Sequence, residues 1–437
     1  MKISTTDLHK RVSPGAWVLA AAVIGTSVLW LLARPSGQPT GRFIGELCGV
    51  EAVLLFSCAL VLATLLRPIE TAFGGLDEVA LWHRRLASAG VVLLFPHIAL
   101  VSSPKDPFET ALGHGLGDVA FAGLLILAAW ALAPRLRAAR WPGPIRQMAR
   151  ATYERWLTAH RLTGMFVALA VAHAAIVDPI LHRSTLLGVV FLLIGCTGVA
   201  AYLYRELLAR YFVAIYDYAV SGVRRLNEST LEVDLSAQHD KLRFAPGQFV
   251  FLAFGGSGGW QRHPFTVSSG AQERHLRVTI KALGDYTAEL RDQLRPGVPA
   301  KVAGPFGGFD YRSGGHQQIW IAGGVGITPF MSWIRSMDGS FDRDVDFYYS
   351  VGRRSEAVYL DKIEAADARH KSFRAHLVCS DEDGLLTGAR VIAEAPQGTS
   401  PWVYLCGPPA MTAALSKDLH SLGLPRGQMR WEQFETR

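Results

Sequence analysis

Cysteine is scarce in this 437-residue chain. Cys48, Cys58, Cys196, Cys379 and Cys406 are the whole complement, and no two stand as Cys-x-x-Cys. That argues against an iron–sulfur cluster or a structural zinc, and no disulfide framework is implied. The G-x-G-x-x-G run of common dehydrogenases is missing, as is any EF-hand loop. No small-residue cleavage site follows the first apolar run, near Ala16 to Ala33, so that run reads as a retained span. The net charge of +7 does not point to nucleic acid, because the basic residues cluster beside apolar runs.

Hydrophobic residues make up 50% of the chain and are unevenly spread. Residues 1–210 are mostly long apolar runs, whereas residues 211–437 have the composition of a soluble protein. Six runs approach the ~20 residues that cross a bilayer. They lie near 15–33, 43–66, 81–101, 116–134, 157–178 and 185–204. Lys2, Lys10 and Arg11 precede the first; Arg67, Arg84 and Arg85 lie between the second and third. A further group from Arg135 to Arg155 separates the fourth and fifth, and Arg205 and Arg210 follow the sixth. The alternate loops carry few basic residues, so the N-terminus and the soluble half are expected on the cytoplasmic side of an inner membrane, with the chain embedded in lipid.

Four histidines fall within these runs: His83 and His97 in the third, His160 and His173 in the fifth. An ionisable residue inside a span is costly and is a functional candidate by default. Runs three and five point the same way, so His83 pairs in level with His160 and His97 with His173. At 1.5 Å rise per residue the levels stand about 21 Å apart. Two haems, each held by two imidazoles, fit that ladder. One buried histidine is readily a structural accident, but four in matched levels are not. A 14-residue step returns to within about 40° of the same helix face, while the 13-residue step in run five lands about 140° away. Either Gly164 permits a local irregularity, or the haems lie at different angles. Arg84, Arg85 and Arg161 are candidates to hold haem propionates. Glu46 and Glu51 are candidates for a proton or cation role in run two. His114 and His182 are expected at the surface.

From Tyr211 the period changes to short alternating strands, at 231–235, 248–252 and 276–281. Turn signals separate them, as expected of an antiparallel barrel. Within it, Arg262-His263-Pro264-Phe265-Thr266 and Ser268 form a candidate flavin motif. Arg262 offers a phosphate fork, Phe265 can line a flat ring, and Thr266 can bond the flavin edge. A second element, Lys281 to Thr287, supplies charge at Lys281 and close backbone approach at Gly284. After residue 312 strands alternate with helical patterns, giving a parallel α/β unit. Its glycine loop contains Gly323, Gly324 and Gly326. Thr328 suits an N-cap and Pro329 the first helical position, which aims a positive helix end at a dinucleotide pyrophosphate. Arg353 and Arg354 are candidates for the adenosine end, where a 2′-phosphate would favour NADPH over NADH. Cys406-Gly407-Pro408 ends a later strand, with Cys406 against the nicotinamide, and Phe434 is placed to cover the flavin ring.

These motifs resemble, almost end to end, the prokaryotic form of the ferric reductase/NADPH oxidase superfamily. The resemblance implies that His83, His97, His160 and His173 ligate two b-type haems. It implies FAD at Arg262–Thr266, Lys281–Thr287 and Gly304–Gly307, and NAD(P)H at Gly323–Pro329 and Cys406–Pro409. Thr266, Cys406 and Phe434 would stand at the reacting rings. The lack of an EF-hand departs from calcium-regulated animal members and suggests a constitutive reductase. The expected fold is multi-domain: a six-helix transmembrane haem-binding bundle over 1–210, an antiparallel β-barrel FAD domain over 211–312, and an α/β nucleotide-binding domain over 313–437. The expected activity carries electrons from cytoplasmic NAD(P)H through FAD and two haems to an outer-face acceptor. Oxygen, giving superoxide, leads; a ferric chelate, a quinone or a periplasmic redox partner is the alternative. A haem-based redox sensor or scaffold is the reading from another class.

Overall fold

A computed structural model describes residues 13–101, 111–132, 153–208, 214–255, 260, 262–339, 341–394 and 400–432. The chain divides into two compact units, one ending at Phe212 and the next beginning at Val213.

The first unit is helical. Its elements are α1 (Pro14–Leu32), α2 (Thr40–Leu62), a short α3 (Arg67–Phe73), α4 (Leu76–Val101) and α5 (Ala111–Leu132). They continue with α6 (Tyr153–His160), α7 (Thr163–Val177), a short α8 (Pro179–Arg183) and α9 (Thr185–Leu203), which runs on into a π-helical turn to Leu208. Among the described residues, six helical stretches are long and apolar enough to cross a membrane. Small residues let the helices approach: a Cβ at Gly198 would lie 2.6 Å from the Ser57 backbone, and one at Gly90 2.8 Å from the Phe56 ring. α2 is the most enclosed span and packs along α4, while α5 packs along α7.

The 13-residue step between His160 and His173 finds its answer in the backbone. The fifth span is two helices, α6 and α7, with Arg161 and Leu162 in a turn between them. The turn resets the helical phase at the residue after His160. Gly164 is not the hinge: a Cβ there would lie 2.2 Å from the Tyr202 ring, so it serves close packing onto α9.

The second unit opens with an antiparallel sheet of β1 (Ile215–Arg225), β2 (Thr230–Ala237), β3 (Phe249–Phe254), β4 (His263–Thr266), β5 (Leu276–Lys281) and β6 (Pro299–Phe306). Their order is β4-β3-β6-β1-β2-β5. A bridge between Val267 and Val278 joins the two edges, and the Ser268 amide donates to the Arg277 carbonyl at 2.8 Å. The sheet thus closes on itself around Val220, Leu235, Val250, Leu252 and Val278. A helix, α10 (Asp285–Gln293), lies between β5 and β6.

A parallel sheet follows, ordered β11-β10-β7-β8-β9. It comprises β7 (Gln317–Gly323), β8 (Asp344–Val351), β9 (Phe373–Cys379), β10 (Trp402–Cys406) and β11 (Met429–Glu432). Its covering helices are α11 (Ile327–Arg335), α12 (Leu360–Arg369), α13 (Gly388–Glu394) and α14 (Pro409–Ser421). Both sheet faces are covered, so its strands are nearly continuous apolar runs, as in Ile319-Trp320-Ile321-Ala322. The strand ends that carry Gly323, Cys406 and the Arg353 region all lie at the carboxyl edge, where open parallel sheets bind ligands.

Candidate functional sites

In the helical unit the four histidines form two facing pairs. The His83 and His160 ring centres are 6.2 Å apart, with planes crossed at 83°. Those of His97 and His173 are 6.3 Å apart, crossed at 81°. A metal–imidazole bond of about 2.0 Å, plus ~1.1 Å from nitrogen to ring centre, puts two trans imidazoles about 6.2 Å apart. Both pairs therefore fit a porphyrin iron between them. Among the described residues no three His, Cys, Asp or Glu side chains gather as a metal site. Two protein ligands per centre suit a macrocycle that supplies the other four.

Hydrogen bonds select the tautomer that ligation needs. His83 Nδ1 lies 2.9 Å from the Ala59 carbonyl, His97 Nδ1 2.9 Å from Gly45, and His173 Nδ1 2.8 Å from Gly113. A carbonyl only accepts, so each Nδ1 carries the hydrogen and each Nε2 keeps its lone pair. His160 has a different support. The Thr163 hydroxyl donates to the His160 carbonyl at 2.6 Å and offers its oxygen to Nδ1 at 3.4 Å. Trp156 stacks on the ring at 5.0 Å and 17°. Sequence reasoning missed these supports. Their only trace is a spacing of small residues on α2 and α5, Gly45/Gly49 and Gly113/Gly117.

The other membrane-half candidates are distributed less simply. Arg161 forms an ion pair with Glu206, and Arg85 lies over the Trp82 ring at 5.3 Å. Glu46 accepts from Arg42 at 2.9 Å and Gln38 at 2.6 Å, an arrangement that accounts for its burial. Glu51 accepts from the Thr26 and Ser27 hydroxyls at 2.8 and 2.9 Å. His182 Nε2 lies 3.2 Å from the Ile176 carbonyl, and His182 and His114 are both exposed.

In the barrel, β4 turns its side chains alternately. Thr266 and Ser268 are 4% and 0% exposed, yet among the described residues their hydroxyls have no hydrogen-bond partner. Buried hydroxyls without partners fit a ligand that supplies them, as the ring edge of FAD would. Phe265 packs into the barrel core, on the strand face opposite Thr266. Strand alternation decides this, because Phe265 and Thr266 cannot share a face. Arg262 is exposed, Pro264 is exposed, and the His263 ring stacks on Tyr286 at 3.8 Å and 19°. That stack brings the first flavin element against the second, and burial pushes the Tyr286 hydroxyl up to about 12. Thr287 is engaged locally: its hydroxyl accepts from the Leu283 and Gly284 amides at 3.0 and 3.1 Å, capping α10. Gly284 has open space beside it, and Lys281 Nζ lies 4.0 Å from where a Cβ at Gly324 would be. The second flavin element therefore meets the nucleotide loop.

That loop is interlocked with the strand end at Cys406. A Cβ at Gly326 would stand 2.2 Å from the Cys406 carbonyl oxygen, and one at Gly407 3.0 Å from Gly323 Cα. A Cβ at Gly323 would meet the Pro408 ring at 2.9 Å. Gly324 has φ +53°, a left-handed conformation suited to glycine. The helix begins two residues earlier than its sequence signals suggest. Gly326 is the N-cap of α11, so Thr328 and Pro329 lie inside its first turn, and the Thr328 hydroxyl donates to the Val325 carbonyl at 3.1 Å. A short 3-10 turn at Gly324–Gly326 shifts the start, and Pro329 is tolerated because first-turn amides lack intrahelical acceptors. Arg353 and Arg354 are exposed and face Asp381 at 3.1 Å and Glu364 at 3.9 Å. Phe434 lies outside the described residues.

Family comparisons agree with this geometry. The FAD-binding domain family matches residues 215–345, and the oxidoreductase NAD-binding domain family matches 320–417. Together these two matches run from residue 215 to residue 417. The chain is 28% identical over 228 residues to the toluate 1,2-dioxygenase electron transfer component of Pseudomonas putida, covering 50% of this chain and 67% of that one. It is 28% identical over 203 residues to a flavohemoprotein of the same species, covering 44% and 52%. The chain thus spans about half to two thirds of the curated relatives it matches. Among solved structures, the FAD/NAD binding domain of nitric oxide dioxygenase from Vibrio cholerae aligns over 50% of this chain and 98% of its own, with 20% identity and a TM-score of 0.45. These relatives place the reductase module among NAD(P)H-dependent flavin oxidoreductases.

Proposed function

We propose that this chain is a membrane-embedded NAD(P)H oxidoreductase of the ferric reductase/NADPH oxidase type. It takes electrons from cytoplasmic NAD(P)H at the reductase module and delivers them to an acceptor at the outer face of an inner membrane. The observation that carries this reading is the 6.2 and 6.3 Å separation of the two imidazole pairs, each the span of two trans ligands on one iron. When bound, FAD divides the electron pair of a hydride into single electrons, and two b-type haems carry single electrons.

The protein's own part is positioning. Gly323 and Gly326 let their loop pack against Cys406, Gly407 and Pro408, and the start of the helix that follows would hold the pyrophosphate. Thr266 and Ser268 present buried hydroxyls to the flavin edge, and Lys281 and Arg262 supply positive charge. His83 with His160, and His97 with His173, would hold the two haems. Oxygen, giving superoxide, is the favoured acceptor, and a ferric chelate, a quinone or a periplasmic redox partner is the alternative. The exposed Arg353 and Arg354 favour NADPH over NADH.

The test is aerobic turnover of the purified, FAD-supplemented protein with NADPH, following cytochrome c reduction with and without superoxide dismutase. Inhibition by the dismutase is expected. Dismutase-insensitive reduction would assign the chain instead to direct reduction of a ferric chelate, quinone or periplasmic partner. NAD(P)H oxidation absent from a cofactor-loaded sample would overturn electron transfer altogether in favour of a haem-based sensor.

A further inference from the structure

The two histidine pairs differ in their surroundings. At the His97/His173 pair both rings are held alike, each Nδ1–H donating to a glycine carbonyl of a neighbouring helix, Gly45 on α2 and Gly113 on α5. Each ring also lies over the glycine one turn further on. A Cβ at Gly49 would stand 2.6 Å from His97 Nδ1, and a Cβ at Gly117 2.7 Å from His173 Nδ1. Such contacts are too short for any methyl group, so the ring reaches its carbonyl only because no Cβ is there. At the other pair, among the described residues, His83 has a carbonyl acceptor, while His160 is held by Trp156 and Thr163.

We propose that Gly45/Gly49 and Gly113/Gly117 are paired positioning elements. In each, the first residue's carbonyl and the second residue's missing side chain fix the ring plane of His97 or His173, holding the outer haem's ligands crossed at 81°. This rests on the reading of the pairs as haem ligands. A hydrogen-bonded imidazole is the more basic ligand, so the clamp lowers the potential of its iron. Crossed ligand planes leave two iron d-orbitals nearly degenerate, which gives a strongly anisotropic low-spin EPR signal.

Helix α5 contains its own control. Gly115 lies between Gly113 and Gly117 but has nothing within 4 Å of its Cβ position. The experiment compares the full-length holoprotein with Gly49→Ala, Gly117→Ala and Gly115→Ala. Haem is counted per chain, and each haem's midpoint potential and EPR signal are recorded. In Gly49→Ala and Gly117→Ala one of two haems should be lost, or its potential should rise and its anisotropic signal collapse. The other haem and the bound FAD should be unchanged, as should everything in Gly115→Ala. Wild-type spectra and potentials in both clamp variants would overturn the proposal while leaving the haem reading intact. Wild-type protein that binds no haem would overturn that reading itself. If the clamp variants fail to fold, EPR of the native holoprotein decides: an ordinary rhombic signal from parallel ligand planes at the outer haem refutes the clamp.

Discussion

Glu232 of the barrel and Arg335 of α11 form a buried ion pair at 2.7 Å, with side chains 5% and 8% exposed. Arg335 also donates to the Ser268 carbonyl at 2.8 Å, beside the unpartnered Ser268 hydroxyl, and Tyr359 donates to Glu232 at 3.0 Å. The pair ties the flavin strand to the nucleotide layer. Arg224 also donates to Glu232, at 2.7 Å, so Glu232 keeps one cation when Arg335 is removed, and the cost falls below the about 3–5 kcal/mol of a buried pair broken outright. Arg335→Met should therefore lower the unfolding midpoint of the reductase module and slow flavin reduction by NAD(P)H. Thermal unfolding and stopped-flow reduction would measure this, and an unchanged midpoint would refute the role of the pair.

Asp346 on β8 is forked by Arg374 on β9 at 2.8 Å to both oxygens, with His376 at 3.2 Å. Burial acts to raise its carboxyl, but the hydrogen bonds from Arg374 and His376 outweigh burial and hold it at about 2. A depressed carboxyl stabilises the folded state above its unfolded value of about 3.9 and loses that contribution as pH falls toward 2. Wild-type protein should lose stability across that window more steeply than Asp346→Asn. Denaturant midpoints between pH 5 and 2.5 test this, and parallel curves would contradict it.

His97→Leu should reduce haem from two to one per chain and abolish outer-face reduction. FAD content and NAD(P)H-dependent ferricyanide reduction by the module should persist. Pyridine haemochrome quantitation is the check, and unchanged haem would remove His97 from the ligand set.

Thr266→Val removes a buried hydroxyl that no group of the described protein uses. The apoprotein should therefore be no less stable. Loss of one neutral hydrogen bond, about 0.5–1.5 kcal/mol, should weaken FAD binding roughly 2- to 12-fold. Fluorescence titration of FAD reads the affinity; equal affinity with intact folding would place the flavin edge elsewhere.

Local and one-dimensional signals were legible in the sequence. Bilayer-length apolar runs, period-2 strands and a glycine loop after an apolar strand each depend on neighbours in the chain, so the elements and the order of the motifs could be read directly. The histidine levels were legible for the same reason, since helical rise converts spacing into depth. One local difference is the helix start, which a 3-10 turn over the same glycines moves to Gly326.

Only the tertiary structure decided what lies far apart in the chain. The acceptors of His83, His97 and His173 are 24, 52 and 60 residues away, and no periodicity encodes which helix will offer a carbonyl. The break at Arg161–Leu162 accompanies a 13-residue step, wrong for one straight helix, that ends in two matched pairs of facing rings. Barrel closure at Val267–Val278 and the ion pair of Glu232 with Arg335 likewise depend on which surfaces meet. Composition and spacing determined the secondary structure and the level of each histidine along its helix, because these follow from the backbone repeat. Ring tautomer, ring plane and the face each side chain presents were decided by packing, because they depend on atoms that only folding brings into contact.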